Sequence, residues 1–305
     1  MELSKASALH TPLVPGEVRC VWDAKALLGE GTLWSVREQA LYWVDILGRQ
    51  LHRYHPTSEA QKSWHFMEEI SALAERRDAP GLLLTLRHDF AYFDPQTEQI
   101  QRLCRAEHDK PGNRFNDGKC DSSGRFWATT IDFECRQATG GIYRFQSDGN
   151  CVAMHPGYVV NNGPTWSLDG TTMYLNDTVA GRVQAFDFDP SAGTIEHERT
   201  WLQLAPDDGL PDGMTTDALG RMWIAHWGGS CVTCHDPDTA QELTRIALPT
   251  RHITNCVFGG TDMQTLFITS ASTGLSPENL AQEPLAGGLF SVDTNCQGLP
   301  SALFG

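Results

Sequence analysis

Four places in this 305-residue chain set an oxygen-bearing side chain immediately before a glycine: Glu30-Gly31, Asp117-Gly118, Asn162-Gly163 and Asp212-Gly213. They fall 13, 10, 12 and 11 residues before Trp43, Trp127, Tyr174 and Trp223, so each occupies nearly the same point of a repeating unit. Carboxylate and amide oxygens without a neighbouring Cys or His form a hard donor set, which suits Ca²⁺, Mg²⁺ or Mn²⁺ and tolerates Zn²⁺ or Fe²⁺. Three such ligands leave positions open for water or substrate, the arrangement of a catalytic metal site. Asn-Gly and Asp-Gly are also common turn dipeptides, so each of the four taken alone is explicable as a turn. Their shared repeat position is what sets them apart.

The repeat itself is plain. Short aromatic and aliphatic runs centred on residues 43, 83, 127, 174, 223 and 267 recur at spacings of 40, 44, 47, 49 and 44. A second series of apolar pairs three apart follows each run, as in Leu51 and Tyr54, Ile142 and Phe145, or Cys231 and Cys234. Turn signals such as Leu168-Asp-Gly170 separate them, and no 12-residue stretch has helical periodicity. Units of this length, each reading as four short strands, predict an all-β, six-bladed β-propeller. Blade one reads as Gly31 to Val36 innermost, then Ala40 to Ile46, Gln50 to His55 and Lys62 to Met67. The sixth unit lacks a last strand, and the unassigned run Glu17 to Ala24 is expected to supply it, closing the ring. One domain over 1–305, with the propeller proper at about 17–293, accounts for the chain. Equivalent points of successive blades surround one mouth of the central channel, so the four oxygen-bearing residues are expected to converge there. Each following glycine removes a Cβ where space near the axis is smallest.

Composition narrows the partners. Lys plus Arg number 23 against 38 for Asp plus Glu, a net charge of −15, which repels nucleic acid and acidic membranes. The first twenty residues contain no signal-peptide core, and no apolar run approaches the ~20 residues of a spanning helix, so a cytoplasmic protein is expected. Nine scattered cysteines in that setting read as reduced.

Four motifs in order make the sequence recognisable. Gly29-Glu-Gly-Thr-Leu-Trp34 leads into Leu41-Tyr-Trp-Val-Asp-Ile46. Asn113-Arg-Phe-Asn-Asp-Gly-Lys119 is followed by Asp121 and Gly124-Arg-Phe-Trp127. Asn162-Gly-Pro-Thr-Trp-Ser-Leu-Asp169 precedes Pro211-Asp-Gly-Met214 with Asp217 and Gly220-Arg-Met-Trp223. From about Glu17 to Val292 the chain resembles the family of senescence marker protein (regucalcin), gluconolactonase and luciferin-regenerating enzyme. The resemblance implies a six-bladed propeller with one divalent cation that hydrolyses a sugar lactone to the aldonic acid. It implies metal ligands at Glu30, Asn162 and Asp212, and substrate contacts from Arg114, Asn116 and, on a variable loop, Glu134. Asn116 stands one residue from Asp117, the position the spacing picks out. The sequence departs from the family at Ala128-Thr129-Thr130, where relatives usually carry a glycine, and at Pro164-Thr165.

The implied chemistry is ester hydrolysis, with the cation polarising the lactone carbonyl. Asp212 is the expected catalytic base, ligating with one carboxylate oxygen and accepting the proton of the attacking water with the other. Asn116 is placed to stabilise the oxyanion. Two rivals stand beside this reading: a Ca²⁺-binding regulatory propeller without turnover, and a propeller hydrolase acting on another ester or a phosphotriester. Cys231-Val-Thr-Cys234-His235 matches a haem-attachment pattern, but residues three apart on a strand face opposite ways, so no haem is expected. His226 is the one histidine placed near the channel mouth, and Trp43, Trp127 and Trp223 read as packing residues.

Overall fold

The structure is a computed structural model that describes residues 13–305. Residues 1–12, where part of the reading on signal peptides and the start of the single-domain span fall, lie outside the described residues.

After β1 (Arg19–Trp22), the strands come in five consecutive groups of four and a last group of three. Blade one is β2 (Gly29–Ser35), β3 (Ala40–Asp45), β4 (Gln50–His55) and β5 (Ala60–His65). Blade two is β6 (Ile70–Glu75), β7 (Leu82–Leu86), β8 (Asp89–Phe93) and β9 (Ile100–Arg105). Blade three is β10 (Asn113–Cys120), β11 (Phe126–Asp132), β12 (Gly140–Phe145) and β13 (Cys151–Tyr158). Blade four is β14 (Asn161–Trp166), β15 (Thr172–Asp177), β16 (Arg182–Asp189) and β17 (Thr194–Gln203). Blade five is β18 (Leu210–Thr216), β19 (Met222–Trp227), β20 (Cys231–His235) and β21 (Glu242–Ala247). Blade six is β22 (Ile253–Gly259), β23 (Thr265–Ser270) and β24 (Leu289–Asp293). A short helix, α1 (Pro277–Gln282), sits in its last connection, capped by the Ser276 side chain.

Each blade is an antiparallel four-stranded sheet, and β1 completes the sixth by pairing with β24, Arg19 opposite Ser291. The fold is the expected six-bladed propeller closed by the N-terminal strand. Within a blade, burial falls from the axis outward. All seven residues of β2 and all six of β3 are buried, whereas β5 buries only Trp64. Inner strands are covered on both faces by neighbouring blades, which is why β2 and β3 are buried along their whole length instead of alternating.

Trp43, Trp127 and Trp223 are fully buried in the second strands, as expected of packing residues. Two are anchored by the same device. In Asp121-Ser-Ser-Gly-Arg125-Phe-Trp127, Asp121 Oδ2 accepts from Arg125 Nε at 2.6 Å and from Trp127 Nε1 at 2.9 Å. Asp217 repeats this with Arg221 Nε at 2.7 Å and Trp223 Nε1 at 3.0 Å. Arg221 and Asp217 are essentially inaccessible to solvent, so each charge depends on the other.

The residues beyond β24 form a strap across the far end of the channel. Gly298 bridges to Asp217, the Phe304 amide donates to the Glu75 carbonyl, and Phe304 stacks on Phe145 at 5.6 Å. A cavity of about 380 Å³ lies under this strap, lined by Lys119, Thr165, Thr216, Leu168 and Leu299. The oxygen-bearing residues sit at the opposite end of the innermost strands.

Candidate metal centre and active site

Every innermost strand starts at the upper mouth, and every one breaks register with its neighbour near its start. The irregularities fall between Glu30 and Leu33, Ile70 and Leu73, Phe115 and Gly118, Asn162 and Thr165, Pro211 and Met214, and Ile253 and Asn255. A bulge leaves residues unpaired and re-aims their side chains. Six bulges at equivalent places thus turn six side chains together at the axis. Glycine is required for close approach there. Gly31 has φ +57°, and a Cβ on it would stand 2.6 Å from the Ser71 carbonyl. A Cβ on Gly213 would lie 2.8 Å from Asn255 Cα.

Glu30, Asp117, Asn162 and Asp212 are all buried and brought together, as the repeat position predicts. Glu30 Oε2 accepts from the Gly31 amide at 3.1 Å and from Asn255 Nδ2 at 3.0 Å. The same Asn255 nitrogen lies 3.4 Å from Asp117 Oδ2, which also accepts from the Gly163 amide at 3.0 Å. The Asp212 carboxyl lies against that of Glu30, and its Oδ1 is buried with no donor. Asn162 Oδ1 accepts from Asn116 Nδ2 at 2.7 Å, while its own amide nitrogen donates to Thr178 Oγ1 at 2.9 Å.

Three acids in one dry space resist ionisation together. Burial, then the charge of Asp117, pushes Glu30 up to about 8. Burial, then the charges of Glu30 and Asp117, holds Asp212 well above the ordinary carboxylate range. Asp117 is also raised by burial, opposed by the ammonium of Lys119, which donates to the Met214 carbonyl. Surplus negative charge, an orphaned carboxylate oxygen and all-oxygen donors fit a hard divalent cation. Among the described residues no three His, Cys, Asp or Glu side chains are gathered as a ready-made cage, and one expected ligand is an amide.

Arg114 and Asn116 stand beside these residues. Arg114 is buried at the start of β10, donates from Nη1 to Asn116 Oδ1 at 2.7 Å, and keeps Nε without an acceptor. Burial lowers its guanidinium pKa. Asn116 Nδ2 donates to the Asn161 carbonyl at 3.0 Å as well as to Asn162 Oδ1. Its amide is fully committed, so here Asn116 ties Arg114 to Asn162 and has no spare donor for an oxyanion. Glu134 is not brought to the group. Its side chain is 62% exposed on the loop after β11 and pairs with Arg136. Phe133 fills the space beside Arg114 instead, 5.9 Å from its guanidinium and 5.0 Å from that of Arg87.

His226 is buried and structural. Its Nδ1 donates to the Asp208 carbonyl at 2.8 Å, its Nε2 lies 2.6 Å from Thr233 Oγ1, and burial holds its pKa near 4. The Thr129 departure also has a purpose: its hydroxyl oxygen accepts from the Asp117 amide at 3.0 Å, fastening the strand that carries Asp117.

Asn255 and Ser71 complete the ring. They lie 12 residues before Phe267 and Leu83, in the same window as the other four, and the spacing finds them once the following glycine is no longer required.

Comparison with known proteins follows the same outline. Residues 28–272 match the family model described as SMP-30/Gluconolactonase/LRE-like region. A Bacillus subtilis (strain 168) protein named as a candidate sugar lactone lactonase, YvrE, is 34% identical over 90% of this chain and 94% of its own. Regucalcin of Danio rerio is 34% identical over 93% of this chain and 97% of its own. The crystal structure of a calcium-binding protein, regucalcin, from Agrobacterium tumefaciens str. C58 superimposes with a TM-score of 0.91 at 27% identity, over 95% of this chain and 98% of that one.

Proposed function

The chain belongs to the SMP-30/gluconolactonase/LRE-like family, and from that premise we propose that it hydrolyses a sugar lactone to the aldonic acid using one divalent cation. The observation that carries the reading is the buried meeting of Glu30, Asp117 and Asp212, with Asp212 Oδ1 lacking a donor, linked through Asn162 and Asn116 to Arg114. A metal-only site has no need of that last link. The relative named for sugar lactone hydrolysis supports it.

Glu30, Asn162 and Asp212 would hold the ion, with Asp117 contributing charge through Asn255. When bound, the cation supplies Lewis-acid polarisation of the lactone carbonyl. The Asp212 carboxylate would take the proton from the attacking water. Proton return to the departing ring oxygen regenerates the carboxylate. Arg114 would contact substrate oxygens, and Asn116 fixes the guanidinium while setting the orientation of Asn162.

A second reading, cation binding without turnover, draws on the calcium-binding relative. Aldonolactones, aryl esters and a phosphotriester, each assayed above spontaneous hydrolysis with chelator and with each divalent cation, separate the possibilities. The expected result is cation-dependent lactone turnover that falls at least ~10²-fold in Asp212→Ala. Full activity in chelated protein would sink the metal assignment, and cation binding with no turnover on any substrate would favour the second reading.

A further inference from the structure

Two of the nine cysteines meet across a blade boundary. Phe90 of β8 and Phe145 of β12 stack face to face between blades two and three, with centroids 4.4 Å apart and planes 7° from parallel. The register partner of Phe90 is Cys104 on β9, and that of Phe145 is Cys151 on β13. One step outward from the stacked rings on each blade therefore lands on a cysteine. The two side chains are close enough for each to act on the other, and both residues pack against the same apolar cluster. Both are half-buried, so a small oxidant has access.

From this placement we propose that Cys104 and Cys151 are a paired thiol modification site, which an oxidant of the disulfide class converts to a cross-link between the outer strands of blades two and three. The balance is simple. One thiolate attacks a sulfur of the oxidant and expels a thiolate. The second cysteine thiolate then attacks the mixed disulfide and expels the other half. One S–S bond forms in the protein, one is lost from the oxidant, two electrons pass to the oxidant, and the two cysteine protons end on its released thiols.

Burial, then the neighbouring Cys104 sulfur, pushes Cys151 up to about 12, so thiolate is scarce at neutral pH and the reaction is slow there. The cross-link closes a loop between positions 47 apart and ties blade two to the blade whose innermost strand carries Arg114 and Asn116. It constrains the unfolded chain and slows separation of those blades, without touching the acids at the axis.

The folded full-length protein is incubated with oxidised glutathione at pH 7, 8 and 9, quenched with an alkylating agent, and mapped without reduction. The expected product is a Cys104–Cys151 linked peptide, about 2 Da lighter than the sum of its parts, forming faster at each higher pH. The melting temperature is expected to rise by about 5 °C and return to its starting value on reduction. The rise is absent in Cys104→Ser and in Cys151→Ser. Recovery of both cysteines as separately alkylated or separately glutathionylated residues overturns the proposal, as does a thermal shift that persists in either variant.

Discussion

Withdrawing the cation should leave a protein whose stability falls as pH rises. Glu30 titrates near 8 in the folded chain against 4.5 ordinarily, so between those values the native state holds a proton that the unfolded state has lost. Stability is then greatest below the unfolded value and drains away as pH climbs through the folded one. Below pH 6.5 the buried histidines oppose this trend. His52 and His226 are held near 4 by burial, and there the unfolded state binds the extra protons. The clean window is therefore pH 6.5 to 8. A single proton retained on the pair Glu30 and Asp212 costs about 1.4 kcal/mol for each pH unit, or roughly 2 kcal/mol across the window. That corresponds to a melting temperature lower by about 3 °C at pH 8 than at pH 6.5. Saturating divalent cation replaces the proton as the compensating charge and should flatten the dependence. Glu30→Gln should lessen it without cation, leaving the part due to buried Asp212. Thermal melts of chelated and cation-loaded protein across this range provide the assay. A chelated protein that melts at the same temperature throughout, or higher at pH 8, refutes the electrostatic account of the site, as does an undiminished slope in Glu30→Gln.

The remaining expectations concern single side chains. Asp217→Ala strands the buried Arg221 guanidinium and the Trp223 N–H, and should cost about 3–5 kcal/mol in denaturant unfolding; a loss below about 1 kcal/mol would show that the pair is not holding blade five. Arg114→Ala should raise KM on the turned-over lactone by ~10²-fold with cation affinity unchanged, whereas Glu134→Gln should stay within about twofold on both measures. A large KM effect from Glu134→Gln would mean that its loop closes over substrate.

Blade number, closure and the identity of the axial acids could be read from the sequence because a repeat reports position independently of contact. Glu30, Asp117, Asn162 and Asp212 share one place in the unit, and identical blades must bring identical places together. Asn255 is hidden in the sequence because Cys256 follows it, not the glycine that follows the other four. Glu134 shows the opposite limit. It lies on a loop outside the repeat, where one step along the chain exchanges the inward and outward side chain, and Phe133 takes the inward place. The commitment of Asn116 was also illegible, since it depends on the Asn161 carbonyl and Asn162 amide from the next blade. The strap was hidden for the same reason: Phe304 finds its place against Phe145, on a blade far earlier in the chain.

Closure by β1 has a consequence in time. Arg19 pairs with Ser291, 272 positions later, and a ribosome adding about 5–20 residues per second needs roughly a quarter of a minute to a minute to make the intervening chain. Throughout that interval five blades can form in order while the β1 segment waits without its partner. It is short, four residues, and only partly buried even in the finished ring, which limits its appeal to a neighbouring nascent chain. The last join to form during synthesis is thus the one that makes the ring circular, and the axial acids acquire their sixth neighbour, Asn255, only as that join is made.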